Sequence, residues 1–130
     1  MITYNFQNIN TKNILYTIQC KILQELKIIK TDSILIASLI VQDALNNTIE
    51  IISFNESAQF IMKQKFKKNS KYSFKSLHAA KNEKFKRTNH RFKLIFQKNQ
   101  SKLHKINCLE YKIKNQVFVQ IKKQDENLGM

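Results

Sequence analysis

Apolar and polar residues alternate along most of this chain, and a period of two restricts it to a fold built from strands. Over residues 16–23, Ile18, Cys20 and Ile22 fall on one face of a predicted strand. Further strands are predicted over residues 33–42, 48–54, 72–77 and 91–97. Strands that are apolar on one face need a second layer or a closed barrel to cover that face, so we expect an all-β fold.

The period becomes helical only once, between residues 56 and 66. There the apolar residues fall three and four positions apart, at Ala58, Ile61, Met62 and Phe66. Asn55 is predicted to cap the helix, and Asn69-Ser70 to end it. The sequence therefore predicts a single helix after the third strand.

Turn residues separate the strands and set their order. Asn46-Asn47 predicts a hairpin between the second and third strands, and Lys81-Asn82 predicts a turn after the fourth. Residues 109–122 alternate again around a turn near Asn115-Gln116. The order matches the oligonucleotide/oligosaccharide-binding (OB) fold, a five-stranded Greek-key barrel with its helix between strands three and four. A small β-sandwich also fits the alternation.

The length favours one domain spanning residues 1–130, with the barrel over about residues 8–105 and a β-rich tail over residues 106–130. The chain has no proline and one glycine, so no linker divides it. No segment approaches the roughly 18 apolar residues that span a membrane, and the first residues lack a secretory signal. We therefore expect no membrane partner.

Positive charge is concentrated in the second half of the chain. The net charge is +14, and residues 61–130 hold 19 of the 23 basic residues. Between Lys63 and Lys105 there are 15 basic residues and one acid, Glu83. Such a block indicates a polyanionic partner or an acidic protein surface.

No metal, cofactor or catalytic motif is predicted. Cys20 and Cys108 are far apart, and no histidine lies at ligand spacing from either, which favours free thiols. With glycine only at position 129, glycine-dependent motifs such as the P-loop and GxSxG cannot occur. The acids form no catalytic pair, so we expect a protein that is not an enzyme.

Several segments resemble a DNA-binding barrel of the replication protein A large subunit and its telomere-binding paralogues. They are residues 16–21, 36–43, 49–56, 71–74, 82–85 and 92–96. In that family a strand ends in an acidic turn, and the next strand ends in Phe-Asn-Glu, as at Phe54-Asn55-Glu56 here. The resemblance implies an OB fold, a nuclear location and binding of single-stranded DNA.

The resemblance implies that bases stack on Phe54 and Phe85. Phe54 shares a strand face with the polar Glu50, and Phe85 lies among cations, which is unfavourable for a core residue. Alternatively, Phe54 belongs to the core and Phe85 is an ordinary loop residue. The predicted phosphate contacts are Lys21, Lys30, Lys81, Lys84, Lys86, Arg87, Arg91 and Lys93. The family has an acid that reads a base at the position of Lys93, and its loop between strands one and two is longer than residues 24–32 here.

These patterns indicate a single-stranded DNA-binding subunit of a replication, telomere or other DNA-processing complex. Because stacking does not depend on the sugar, RNA is an equally acceptable ligand. The alternative is an assembly subunit whose barrel contacts proteins and binds little nucleic acid, with residues 109–121 pairing with a partner's edge strand. Those residues also fit an ordinary closing hairpin of the same domain.

Overall fold

The structure of the chain is a computed structural model that describes residues 3–83, 86–112 and 118–121, with residues 110–112 and 118–121 described by their backbone. The strands of this part are β1 (Leu15–Ile22), β2 (Lys27–Lys30), β3 (Leu35–Gln42), β4 (Thr48–Phe54), β5 (Lys71–Lys81), β6 (Phe92–Ile95), β7 (Lys102–Ile106), β8 (Leu109–Lys112) and β9 (Phe118–Ile121). The α-helix, α1, is Asn55–Met62. No helix among these residues is long and apolar enough to cross a membrane.

Five strands close into a barrel. β1 pairs with β3, β3 with β4, β4 with β6, β6 with β5, and β5 with β1. The β4–β6 pairing is parallel and the others are antiparallel. Because α1 lies between the third and fourth barrel strands in chain order, the fold is the predicted OB fold.

Alternate side chains of the strands fill the barrel. In β1, Tyr16, Ile18, Cys20 and Ile22 are all fully buried. α1 contributes Ala58 and Ile61 to the same core. Full burial of a large apolar side chain stabilises the folded state by roughly 1.5–3 kcal/mol, so this inward row holds the barrel together.

The sequence located four of the five barrel strands within two residues, whereas the strand predicted over residues 72–77 was too short and is β5, Lys71–Lys81. The predictions over residues 16–23, 33–42 and 48–54 correspond to β1, β3 and β4. Asn46 lies in the predicted hairpin turn with φ of 69°, a left-handed conformation that asparagine tolerates.

The predicted helix was too long, and its predicted cap was wrong. α1 ends at Met62 rather than at residue 66, and the backbone turns left-handed at Lys65, with φ of 52°. The cap position is Phe54, which makes no side-chain cap hydrogen bond. Asn55 instead accepts the N–H of Leu35 at 3.0 Å, which ties the start of β3 to the end of β4.

Two strands were missed by sequence reasoning. β2 occupies the expected short loop and pairs with β3, with Ile29 opposite Ile36. β7 pairs with the first half of β5, with Leu103 opposite Phe74. Both strands extend the barrel wall at an edge, so their formation depends on the neighbouring strand rather than on a strong alternation of their own.

The tail contains the predicted β-structure. β8 pairs with β9 in a two-stranded sheet that is separate from the barrel sheet. The turn predicted near Asn115-Gln116 lies outside the described residues. The division into a barrel and a tail within one domain stays a prediction.

A bulge bends β5 in its middle. Phe74 and Leu77 are both fully buried, so the two residues between them leave the inward row together. Ser76 has φ of 61°, and its carbonyl oxygen accepts the Ser101 hydroxyl at 2.8 Å. Such an extra residue bends a strand and increases its twist. The bend lets β5 pair with β7 in its first half and with β6 in its second.

Asp43 organises the turn between β3 and β4. Its buried carboxylate accepts the backbone N–H groups of Phe6 at 2.9 Å, Leu45 at 3.0 Å and Asn47 at 2.8 Å. The acidic turn noted in the sequence is therefore a structural device that joins the N-terminal segment to the hairpin.

We expect Asp43→Ala to lower the free energy of unfolding by at least about 2 kcal/mol, because it leaves buried N–H groups without an acceptor. Urea denaturation followed by circular dichroism measures the change. Asp32→Ala is the control, because Asp32 is exposed and its loss is expected to change stability by less than about 0.5 kcal/mol. Equal stability of the two variants would contradict this role of Asp43.

Candidate nucleic-acid interface

The outer surface of β3, β4 and β6 forms a continuous face. Ile51 of β4 lies beside Leu94 of β6, and both are buried in the core. Their neighbours along the strands point outward: Ile52 lies beside Ile95 and opposite Ser38. The alternation that fills the barrel thus also builds this outer face.

Two adjacent clefts of about 380 Å³ and about 350 Å³ open on this face. They share Ile36, Ile52 and Lys93, so they form one groove. The first cleft is also lined by Lys27, Ile29, Thr31, Ser38, Glu50 and Arg87. The second is also lined by Phe54, Ala80, Lys81, Glu83 and Ile95. The groove has an apolar base with cations along its length.

Phe54 stands at the end of β4 with its ring in the groove. Its side chain is 37% exposed, while its strand neighbour Ser53 is buried. Ile36 lies directly opposite on β3. The alternative that Phe54 belongs to the core is therefore wrong, and the groove presents a flat apolar ring to solvent.

Charged groups are paired at the centre of the groove. Glu50 is 3% exposed, and its Oε1 lies 3.7 Å from Nζ of Lys93. The Ser38 hydroxyl donates to the other carboxylate oxygen, Oε2. Arg87 donates from Nη1 to the carbonyl oxygen of Ser38 at 3.2 Å and to its Oγ at 2.5 Å. The carboxylate therefore offsets part of the positive charge in the groove.

Glu50 is the groove residue whose role the sequence did not reveal. The chain shows it as a single acid among isoleucines, at Ile49-Glu50-Ile51-Ile52. An acid in such a run is a sign of a buried partner, but the partner itself follows only from the parallel β4–β6 pairing.

The loop between β5 and β6 is shaped by Asn82. This residue is buried, and its Nδ2 donates to the carbonyl oxygens of Thr88 at 3.1 Å and His90 at 2.9 Å. Its backbone N–H donates to the carbonyl oxygen of Arg91 at 2.9 Å. Asn82 thus fixes the base of a longer loop instead of forming a two-residue turn with Lys81.

The structure brings four of the predicted contact residues together in the groove: Phe54, Lys81, Arg87 and Lys93. Lys86 is exposed in the loop beside Arg87, and Lys30 is exposed at the end of β2. Lys21 and Arg91 line smaller clefts that share no residue with the groove. Lys84 and Phe85 lie outside the described residues. Lys27, which sequence reasoning placed in a loop, also lines the groove.

The described residues offer no metal site. None of their histidine, cysteine and acidic side chains form a group of three that could hold an ion. Burial raises the pKa of the Cys20 thiol well above its usual value, and the nearby Asp43 carboxylate raises it further. A thiol in this environment stays protonated and unreactive, so Cys20 is a core residue.

Comparison with known proteins supports the OB fold at the level of structure alone. No protein-family model and no curated protein matches the chain. A chain of a replication protein A heterotrimer bound to ssDNA superposes with a TM-score of 0.65 at 11% identity, over 79% of this chain and 24% of that one. Fission yeast Pot1 with ssDNA superposes with a TM-score of 0.51 at 10% identity, over 82% of this chain and 40% of that one.

Because the sequence identities are this low, the structural likeness establishes the OB fold alone. It confirms the predicted resemblance to replication protein A and its telomere-binding paralogues at the level of the fold. This chain spans about a quarter of the replication protein A chain and less than half of the Pot1 chain. Both of those structures contain single-stranded DNA.

Proposed function

We propose that this protein binds single-stranded DNA in the groove, by stacking bases on aromatic rings and pairing lysines with phosphates. The observation that carries the proposal is the exposed ring of Phe54 at the end of an apolar groove. An aromatic ring is a platform for any base, and stacking contributes roughly 1–3 kcal/mol per base. In this proposal Phe85, in the loop between β5 and β6, provides the second ring.

The cations around the groove support contact with phosphates. Lys81 borders Phe54, and Lys27 borders the other end of the groove. Lys84 and Lys86 would extend this row along the loop, and Lys30 would extend it along β2. Lysine is a flexible point charge, which suits sequence-independent contact with a phosphate backbone.

We further propose that the protein works as a small nuclear subunit of a replication, telomere or other DNA-processing complex. One barrel offers few stacking sites, and linked barrels gain affinity through effective concentration. The replication protein A structure that it resembles is a heterotrimer, which supports a role beside other subunits. RNA is an alternative ligand because stacking and phosphate contact do not depend on the sugar.

We expect Phe54→Ala and Phe85→Ala each to weaken binding of a short single-stranded oligonucleotide by about one to two decades of Kd. Because stacking does not depend on counterion release, the loss should persist at high salt. Fluorescence anisotropy at several salt concentrations measures both quantities. Lys86→Ala should instead reduce the log–log salt slope by about 0.7.

The matched control is Leu45→Ala, which removes an apolar side chain of similar exposure outside the groove. Circular dichroism should show that every variant is folded. If folded Phe54→Ala and Phe85→Ala proteins bind as the Leu45→Ala protein does, the stacking proposal is wrong.

We expect Glu50→Gln to tighten single-strand binding. The substitution keeps the size of the side chain and removes a negative charge that attracts Lys93 and repels phosphates. One additional phosphate contact should steepen the salt slope by about 0.7 and raise affinity about fivefold at 0.1 M salt.

Glu56→Gln is the control for this test, because it breaks a similar ion pair, with Lys98 at 3.2 Å, on the exposed start of α1. The same titration applies to both variants. Weaker binding by the Glu50→Gln protein would show that the carboxylate organises the groove rather than neutralising it.

The assembly role is the second candidate, and the separate β8–β9 sheet favours it. Leu109 of β8 packs against the barrel, but β8 and β9 pair only with each other among the described residues, so each strand keeps an edge that a strand of another chain can pair with. We expect truncation after Asn107, which keeps β7 intact, to reduce co-purification of partner subunits while single-strand affinity changes less than threefold. Pull-down with mass spectrometry and anisotropy measure the two effects. Lost DNA binding with unchanged co-purification would reverse the assignment.

A further inference from the structure

A second group of cations lies on the outer surface of β1, β5 and β7. Ile18, Cys20 and Phe74 are fully buried, so the residues next to them in these strands face outward. We define the far face by Lys21, Lys71, Lys75, Lys102 and His104. None of these residues lines the groove.

Like charges stand directly opposite each other on the far face. Lys21 is the register partner of Lys71, and Lys75 is the register partner of Lys102. Directly opposed side chains have Cβ atoms about 5 Å apart, and like charges in this arrangement destabilise a sheet. The protein therefore keeps two repulsive pairs that a neutral residue would remove.

Ion pairs do not relieve this repulsion in the described part of the chain. Its two ion pairs are Lys93–Glu50 and Lys98–Glu56, and neither includes a lysine of the far face. Asp43 lines a small cleft with Lys21 and Lys71. Its buried carboxylate, which accepts backbone N–H groups, offsets part of the positive charge of that pair. Lys75 and Lys102, which form no ion pair among the residues whose side chains the structure describes, are thus the far-face pair best placed for an external anion.

We propose that the far face binds the phosphate backbone of nucleic acid that continues beyond the groove. The inference rests on the proposed function, because it extends the footprint of the same ligand. Phosphates placed between opposed lysines would convert the repulsion into attraction and release counterions. No base readout is involved, so both a single strand and a flanking duplex can supply these phosphates.

The composition of the far face favours nucleic acid over a protein partner. Protein interfaces have a buried centre enriched in aromatic residues and depleted in charge. Of the exposed large apolar residues of the described chain, only Leu15 lies on the outer surface of these strands, six positions before Lys21; the others are Ile14, Ile28, Ile29, Leu45, Phe54 and Met62. Ile106, half-buried opposite Lys71, is the apolar residue of β7 on this surface, so charge outweighs apolar area there, as expected for phosphate contact.

β5 connects the far face to the groove. Its first residues, Lys71 and Lys75, belong to the far face, and its last residues, Ala80 and Lys81, line the groove. At about 3.3 Å per residue the two ends are separated by no more than about 33 Å. A nucleic acid that leaves the groove at Lys81 can therefore reach the lysines of the far face.

The test is the double variant Lys75→Gln/Lys102→Gln, measured with oligonucleotides of two lengths. One of about 8 nucleotides lies within the 4–16 nucleotides that one OB barrel covers, and one of about 25 exceeds it. We expect unchanged affinity for the short oligonucleotide. For the long one we expect about 25-fold weaker binding at 0.1 M salt and a salt slope reduced by about 1.4, since two contacts are lost.

Lys12→Gln/Lys63→Gln is the matched control, because both lysines are exposed and neither belongs to the groove or the far face. Two further oligonucleotides both contain the 8-nucleotide segment, and one carries a single-stranded extension while the other carries a duplex extension. Whichever of the two binds more tightly identifies the source of the phosphates. The Lys75→Gln/Lys102→Gln protein should also unfold at the same or higher urea concentration than the wild type, because a repulsive pair is gone.

If the far-face variant and the control variant bind the long oligonucleotide equally, the inference is wrong, even when Phe54→Ala still weakens binding of the short one. If an acidic polypeptide such as polyglutamate binds the far face and the long oligonucleotide does not, the partner is a protein and the inference is also wrong. Loss of long-oligonucleotide binding in the far-face variant, with no effect of Phe54→Ala, would support the far face and reject the groove.

Discussion

The pairing of β5 with three other strands determines where both proposed surfaces lie. β5 closes the barrel against β1, and it pairs with β7 at one end and β6 at the other. This arrangement requires the strand to bend, and the bulge at Ser76 provides the bend while Phe74 and Leu77 stay in the core. Without it, Lys71 and Lys81 could not border different surfaces of one closed barrel.

The sequence was sufficient for the barrel strands because each one carries its own alternation. β1 and β4 could be read directly, since burial on one face selects apolar residues at every second position. β2 and β7 could not, because Lys-Ile-Ile-Lys and Lys-Leu-His-Lys-Ile contain too few apolar residues to show a period. Such edge strands form where a neighbour offers unpaired backbone groups, which depends on the tertiary structure.

The candidate site also has a part that a local sequence pattern predicts and a part that depends on the tertiary structure. The alternation of inward and outward side chains along β4 predicted an outward position for Phe54, because this alternation is a property of one strand. The contact between Glu50 and Lys93 joins residues 43 positions apart through the parallel β4–β6 pairing, which no local pattern encodes. Arg87 reaches Ser38 from a loop whose shape depends on the buried Asn82.

The distribution of charge explains how one small barrel can favour phosphates without strong base selection. Arginine can read a base edge with two hydrogen bonds, and the chain has only two arginines. One of them, Arg87, already donates to Ser38 and Gln24. Glu50 partly neutralises the centre of the groove, whereas Lys27 and Lys81 at its ends and Lys75 and Lys102 on the far face form no ion pair within the described residues. Positive charge is therefore greater at the ends of the groove, where Lys81 borders Phe54, than at its centre beside Glu50. In the proposed complex, stacking on Phe54 would position the nucleic acid, and contacts between lysines and phosphates would supply most of the affinity.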